Sequence, residues 1–228
     1  MIVPPVWQLR QDADLGYQLG EALLRNARLG VRNTSELGQA EYALMEMRGD
    51  SDTPWPGDFP LPIVAMPAKS FAPDFWTFGS YYFASRRLRE ALAQPEDVVE
   101  FAPIQWIRSS KAARLQEYRW MRVLARQEAL DLDRCDGTVE HRPDPVTGAM
   151  VGHFGHISRA ALRSDLVPRT GIFRLRESMS KIYVTDEVAE RVLRAGCTGI
   201  CFQHPENEWL TEGGYYRTVD GMAQMSAE

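Results

Sequence analysis

The sequence predicts an α+β fold, a mixed sheet with flanking helices, and three observations lead to this prediction. The β-branched and aromatic run at residues 182–184 is typical of a strand. Apolar residues after it recur at three- and four-residue spacing, which indicates a helix with one buried face. Gly196 then ends the helix, and residues 198–202 return as a second strand.

The helix of this unit has strong local signals at its start. Thr185 is predicted to be the N-cap, with its hydroxyl accepting from the first free backbone N–H groups. Asp186 and Glu187 place negative charge at the positive end of the helix dipole. The predicted i,i+4 ion pairs are Glu187–Arg191 and Glu190–Arg194. The predicted apolar face comprises Val188, Ala189, Val192, Leu193 and Ala195.

A weaker copy of the unit lies one hundred residues earlier. Residues 82–84 form its first strand, Ser85 its cap, and residues 98–101 its second strand after Pro95 stops the helix. Leu88, Ala91 and Leu92 are its apolar stripe. One hypothesis is a duplicated architecture with halves 1–110 and 111–216. The alternative is a chance match of a common local pattern.

Composition limits the class of protein. The 228 residues are 44% hydrophobic and 25% charged, which suits a single globular domain, 1–228. We expect a cytoplasmic protein with no membrane contact, because no apolar run approaches the roughly 18 residues of a span and no secretory signal is visible. The three cysteines are expected to be reduced thiols, and the net charge of −5 argues against sequence-independent nucleic-acid binding.

The N-terminal third is predicted to contain a strand at residues 6–9, a helix at 17–29 and a strand at 42–47. Six prolines between residues 49 and 73 predict a wrapping or mobile loop there. The tail, 217–228, has little to bury and is expected to be flexible.

The central region is predicted to begin with a strand at 101–107 that carries a proline near its middle. Residues 118–124 fit a helix or a strand equally well. Turn residues at 143–148 predict a hairpin between 138–142 and 149–154. A short capped helix is expected at 158–162.

Three histidines raise the hypothesis of a metal-dependent hydrolase: His141, His153 and His156. An i,i+3 pair on a strand points to opposite faces, and we expect His141 to lie nearer Met150 than His153. No third ligand converges, so the sequence favours ordinary hairpin histidines and predicts no metal site and no cofactor. Cys197 and Cys201 are expected to be buried small apolar residues.

The segment 108–126 is locally basic and interleaves Tyr118 and Trp120, as a nucleic-acid-binding module would. The alternative is an element with one charged face and one core face, and the sequence favours it. No phosphate loop, nucleophile elbow or dinucleotide fingerprint is present, so motifs alone do not indicate an enzyme.

A set of motifs, taken in order, resembles one family, and it spans residues 58–203. The motifs are Asp58-Phe59, residues 83–92, residues 100–104, Tyr118 with Leu130-Asp131, residues 172–175, residues 182–187 and residues 198–202. The order resembles the bacterial immunity proteins of polymorphic-toxin loci, specifically the immunity-protein-eleven family (the Myxococcus-type immunity domain). The resemblance implies an α+β domain that binds and neutralises a cognate toxin domain and has no catalytic residues.

Binding residues tend to lie in loops, and an acidic inhibitor gains association rate against a basic nuclease toxin. The predicted partner-binding residues are therefore acids in expected loops: Asp131, Asp133, Asp136, Glu206, Glu208 and Glu212. The alternative for each of them is an ordinary solvated acid. No nucleic-acid partner and no particular oligomeric state are predicted.

Overall fold

The computed structural model describes residues 6–11, 32–33, 62–66, 72–78, 81–143, 150–169, 171–176, 178–205, 215–218 and 221–224. The strands are β1 (Val6–Gln11), β2 (Arg32–Asn33), β3 (Pro62–Met66), β4 (Phe75–Phe78), β5 (Tyr81–Ala84), β6 (Val99–Ala102), β7 (Gln105–Ser109), β8 (Arg119–Val123), β9 (Arg126–Gln127), β10 (Asp136–Pro143), β11 (Met150–Arg159), β12 (Ile172–Leu175), β13 (Ser178–Thr185), β14 (Ile200–Gln203), β15 (Tyr215–Thr218) and β16 (Gly221–Gln224). The helices among these residues are α1 (Arg86–Leu92), α2 (Lys111–Leu115) and α3 (Asp186–Arg194).

The strands form four sheets. The largest has seven strands in the order β16-β15-β14-β1-β13-β12-β9, and a second has four in the order β4-β5-β8-β6. A three-stranded sheet, β2-β3-β7, and the β10-β11 hairpin complete the described part of the chain. Most pairs are antiparallel, but β9–β12 and β3–β7 are parallel. The predicted α+β fold with mixed sheets is confirmed.

The predicted strand–helix–strand unit is present as β13, α3 and β14. Its two strands do not pair with each other, because β1 lies between them and is antiparallel to both. Val188, Ala189 and Val192 are buried on α3, whereas Ala195 is exposed, so the predicted apolar face was wrong at its last residue. The helix ends before Gly196, whose φ of 65° is left-handed and suits glycine.

The weaker copy has the same arrangement in the four-stranded sheet. Here β5, α1 and β6 form the unit, β8 is inserted between the strands, and β4 pairs with β5 as β12 pairs with β13. Trp76 stacks on Phe83 with ring centroids 4.1 Å apart, and Phe173 stacks on Tyr183 at 5.8 Å in the corresponding positions. The topology of the two sheets therefore repeats over four strands and one helix.

The two helix N-termini differ in a way that sequence reasoning missed. Ser85 caps α1, with its Oγ accepting from the Leu88 N–H at 3.1 Å. Thr185 occupies the N-cap position of α3 but makes no side-chain cap bond. Its Oγ1 accepts instead from the backbone N–H of Gly171, at 3.1 Å. The predicted capping role of Thr185 was wrong, because its hydroxyl oxygen accepts a hydrogen bond from the buried N–H of Gly171, the residue before β12.

One hydrophobic core joins the two sheets through their helices. Residues from both units are buried in it, including Leu88, Leu92, Val188 and Val192. Arg191 on α3 strengthens this contact. Its guanidinium donates to the carbonyls at the C-terminus of α1, to Ala91 at 3.2 Å and Leu92 at 2.8 Å. A cation at this end of α1 also complements the helix dipole.

Several predicted elements have different limits in the structure. The expected strand at 101–107 is broken at Pro103 and Ile104, so that β6 and β7 belong to different sheets. Residues 118–124 contain the strand β8. The hairpin of β10 and β11 is confirmed. The short helix expected at 158–162 was wrong, because its first two residues end β11.

The flanking regions contain further strands. A strand, β3, lies inside the proline-rich stretch 49–73, and Pro62 is its first residue, where a missing N–H is tolerated. The tail contributes β15 and β16 to the edge of the seven-stranded sheet. The predicted helix at 17–29 and strand at 42–47 lie outside the described residues.

Candidate partner-binding surface

Two adjacent loops, residues 130–135 and 160–166, form the most developed surface feature near the predicted acids. A β-bridge pairs Leu130 with Leu162, and the Asp131 N–H donates to the carbonyl of Ala161 at 2.9 Å. The Arg163 N–H returns a bond of 2.7 Å to the carbonyl of Ala129. These long-range backbone bonds fix the two loops against each other.

The inner side of these loops is part of the protein core. Ala129, Leu130, Ala160 and Val167 are buried against the seven-stranded sheet, where they meet Tyr183. Burial of such apolar area contributes roughly 25 cal/mol per Å². The loops are therefore a supported platform, and the cost of ordering them on binding a partner is small.

The outer side is a polar cleft of about 390 Å³, here called the 131–165 cleft. Its lining residues are Asp131, Asp133, Arg134, Leu162, Arg163, Ser164 and Asp165. Arg134 lies 3.9 Å from Asp131, and Arg163 lies 3.3 Å from Asp165. Exposed pairs of this kind contribute at most about 1 kcal/mol, so exchanging them for ion pairs with a bound protein costs little.

Two leucines beside the cleft are unusually exposed. Leu132 lies between two of its aspartates and is 51% exposed, and Leu166, next to Asp165, is 37% exposed. Apolar side chains surrounded by charged residues are typical of the centre and rim of a protein–protein interface. The cleft and these two leucines together constitute a surface suited to binding a protein.

The predicted acids fall into three groups. Asp131 and Asp133 line the cleft. Asp136 is exposed on β10, opposite Arg159, and does not line it. Glu206, Glu208 and Glu212 lie outside the described residues.

Sequence reasoning missed Arg134, Arg163 and Asp165, which line the same cleft. Arg163 and Asp165 lie within three residues of the end of a segment that was predicted to be a helix, 158–162. The only local signal that could have found them is their alternation of charge, which is common on any surface. Their proximity to Asp131 depends on the pairing of the two loops, and no local pattern predicts it.

The basic segment 108–126 does not form one basic surface. Arg122 is 3% exposed, and its guanidinium donates to Glu100 at 2.6 and 3.1 Å. Tyr118 and Trp120 are buried, so neither ring is available to stack on a base. Burial, followed by the nearby Asp74 charge, raises the pKa of Tyr118 far above its ordinary value. The segment covers the end of β7, α2, β8 and the first residue of β9, and β8 is largely buried on both faces, so the interpretation as one element with a charged face and a core face does not hold either.

The histidines lie on the β10–β11 hairpin. His141 is opposite Gly152 and His153 is opposite Glu140, so the expectation that His141 lies nearer Met150 was wrong. The pairing of Pro143 with Met150 sets this register, which then runs without interruption to His141 and Glu140. Within the described residues no group of three or more histidines, cysteines, aspartates and glutamates is arranged to hold a metal.

Two of the cysteines are structural. Cys197 and Cys201 are buried, as predicted, and lie beside and within β14. Burial, followed by the charge of Asp74, raises the pKa of the Cys197 thiol to about 12. The thiol form therefore dominates at neutral pH, and this residue is a poor nucleophile.

Comparison with protein families gives a match. A family model described as "Immunity protein family (Imm11)" matches residues 16–207, which include both strand–helix–strand units and the 131–165 cleft. No curated protein matches the chain. Among the described residues, no helix has the length and apolar character needed to cross a membrane.

Proposed function

The chain belongs to the immunity protein family Imm11, and on this premise we propose that it neutralises a cognate bacterial toxin by binding it, without catalysing a reaction. Neutralisation by binding needs a stable complementary surface and no reactive group. The proposed setting is the cytoplasm of a cell that makes the toxin, where this protein competes with the toxin's target for binding to the toxin.

The observation that carries this proposal is the 131–165 cleft with its flanking leucines. Leu132 and Leu166 supply apolar anchors, and anchors of this kind usually dominate binding free energy. Asp131 and Asp133 supply charge that can attract a basic toxin domain, such as a nuclease. Arg134 and Arg163 restrict the partners that fit, since like charges in the wrong register are repelled.

A nucleic-acid-binding function is less well supported. The aromatic side chains that would stack on bases, Tyr118 and Trp120, are buried. The net charge is −5, whereas binding to a phosphate backbone needs a basic surface. A hydrolase based on the hairpin histidines is also less well supported, because Gly152 and Glu140, and no other histidine, lie opposite His141 and His153.

Co-expression with the toxin encoded beside this gene tests the proposal. We expect cells to survive only when the protein is present, and the two proteins to co-purify as a stable complex. Leu132→Ala should weaken the complex at least tenfold, mostly through faster dissociation. Asp131→Lys with Asp133→Lys should slow association and reduce its dependence on salt.

Glu140→Lys is the matched control, because Glu140 is an exposed acid on the hairpin outside the cleft. It should leave both rate constants nearly unchanged. Equal cell death with and without the wild-type protein would remove the proposed function. A stable complex that is indifferent to Leu132 and to both aspartates would instead locate the interface elsewhere.

A further inference from the structure

The outer edge of β6 is a second surface that the proposed function does not use. β6 is the last strand of the four-stranded sheet, and among the strands that the structure describes only β8 pairs with it. The Leu124 N–H donates to the Val98 carbonyl at 2.8 Å, and this bond shows which residues of the pair direct their backbone groups toward the partner strand. In an antiparallel pair the backbone groups of alternate residues point toward the partner strand. Phe101 therefore directs its N–H and C=O groups away from β8.

The turn before β6 defines where this edge begins. The N–H groups of Val98 and Val99 donate to the carbonyl of Pro95, at 3.0 and 3.1 Å. The carbonyl of Val99 and the N–H and carbonyl of Phe101 lie along this edge, where an added strand could form hydrogen bonds with them. An edge with such groups is a template for pairing with an extended chain.

A groove of about 490 Å³ runs along this edge. Its lining residues are Glu96, Asp97, Val99, Glu100, Phe101 and Leu124. Val99, Phe101 and Leu124 provide the apolar floor, and Glu96 and Asp97 are exposed on the rim. Glu100 is already bonded to Arg122, so the charge offered to a ligand comes mainly from the two rim acids.

We propose that the β6 edge binds an extended segment of the toxin, rich in lysine or arginine, by strand addition. Main-chain bonds to Phe101 and Val99 would supply affinity, and alternate side chains of the segment would supply specificity. Side chains on one face of the added segment would contact Phe101, those on the other face would lie nearer Leu124, and cationic side chains would reach Glu96 and Asp97. This inference rests on the proposed function, since the partner is the same toxin.

Charge decides between the possible occupants of this edge. A second copy of the chain would present an identical β6, whose residues Val99–Ala102 include no cationic side chain to pair with Glu96 and Asp97. A basic segment supplies that cationic partner and gains from both carboxylates. The groove therefore favours a cationic, extended partner over self-association.

A peptide titration tests the site without the toxin. The probe is an octapeptide of alternating lysine and valine, and the control is one of alternating glutamate and valine. Amide NMR of the full chain should show saturable shifts at residues 96–101 with the first peptide, together with slower hydrogen exchange of the Phe101 N–H. The control peptide should bind at least tenfold more weakly. Equal binding of both peptides, or shifts confined to other residues, would overturn the inference.

The variant E96K/D97K connects this site to the toxin. Both side chains are exposed, so the fold should be retained, as circular dichroism would verify. We expect at least tenfold weaker binding of the lysine–valine peptide and of the toxin. If the wild-type protein does not bind the toxin, the proposed function fails. If wild type and E96K/D97K bind the toxin equally, only the β6 inference fails.

Discussion

Replacing Asp74 should destabilise the protein more than replacing any exposed acid. Asp74 directly precedes β4 and is 1% exposed. Its Oδ1 accepts from the Ser85 hydroxyl at 2.6 Å. Its Oδ2 accepts from the backbone N–H and the hydroxyl of Thr198, at 2.8 and 3.0 Å. The carboxylate thus joins the start of α1 to the loop that leads into β14, and so connects the two repeated units.

The expected cost follows from these three bonds. A hydrogen bond to a charged group contributes about 1.5 kcal/mol or more, and a buried donor left without an acceptor adds a desolvation penalty. Asp74→Ala should therefore lower the free energy of unfolding by about 4 kcal/mol. Asp74→Asn should cost less, about 1.5 kcal/mol. Its amide oxygen can still accept from Thr198, and its NH₂ group can donate to Ser85.

Urea unfolding followed by tryptophan fluorescence measures both variants. Asp97→Ala is the matched control, because Asp97 is an exposed aspartate, and it should change stability by less than about 0.5 kcal/mol. If Asp74→Ala costs no more than this control, the carboxylate does not hold the two units together and the argument is refuted.

Three further predictions concern α3 and its sheet. Thr185→Ala should cost about 1 kcal/mol through loss of the acceptor for the Gly171 N–H, and Thr185→Ser, which keeps that acceptor, should cost less in the same urea titration. Val192→Ala should cost about 2 kcal/mol, because the side chain is fully buried and its removal leaves a cavity in the core. A loss below about 0.5 kcal/mol would show that this face is not core. Burial, followed by the charge of Arg10, lowers the pKa of Lys181 to about 8. The folded protein then releases this proton near pH 8 and the unfolded chain only near about 10.4, so wild type gains stability with rising pH across that window. The stability advantage of Lys181→Met over wild type should accordingly shrink between pH 8 and pH 10, and an advantage that stays constant would contradict the lowered pKa.

The local pattern of the sequence was sufficient for elements whose signals lie within a few residues. The helix α3 follows from apolar spacing and from charges in its first and last turns, and Glu187 pairs with Arg191 at 2.9 Å as predicted. The hairpin follows from turn chemistry at 143–148. The one-hundred-residue offset between Ser85 and Thr185 also identified two units that have the same sheet topology. In each case a short stretch contains both the groups that interact and the reason they do so.

The contacts that distinguish this protein were decided by tertiary structure. Insertion of β1 between β13 and β14 joins residues almost two hundred positions apart. The side-chain pattern of a strand does not specify which other strands will pair with it. The partner of Thr185 changed because a strand placed the Gly171 N–H beside its hydroxyl. The 131–165 cleft exists because Leu130 pairs with Leu162, which brings two separate loops together. The local sequence determined which residues prefer to be buried or helical. Which of them are in contact was determined by long-range strand pairing, because the packing gained there must exceed the entropy lost on closing long loops.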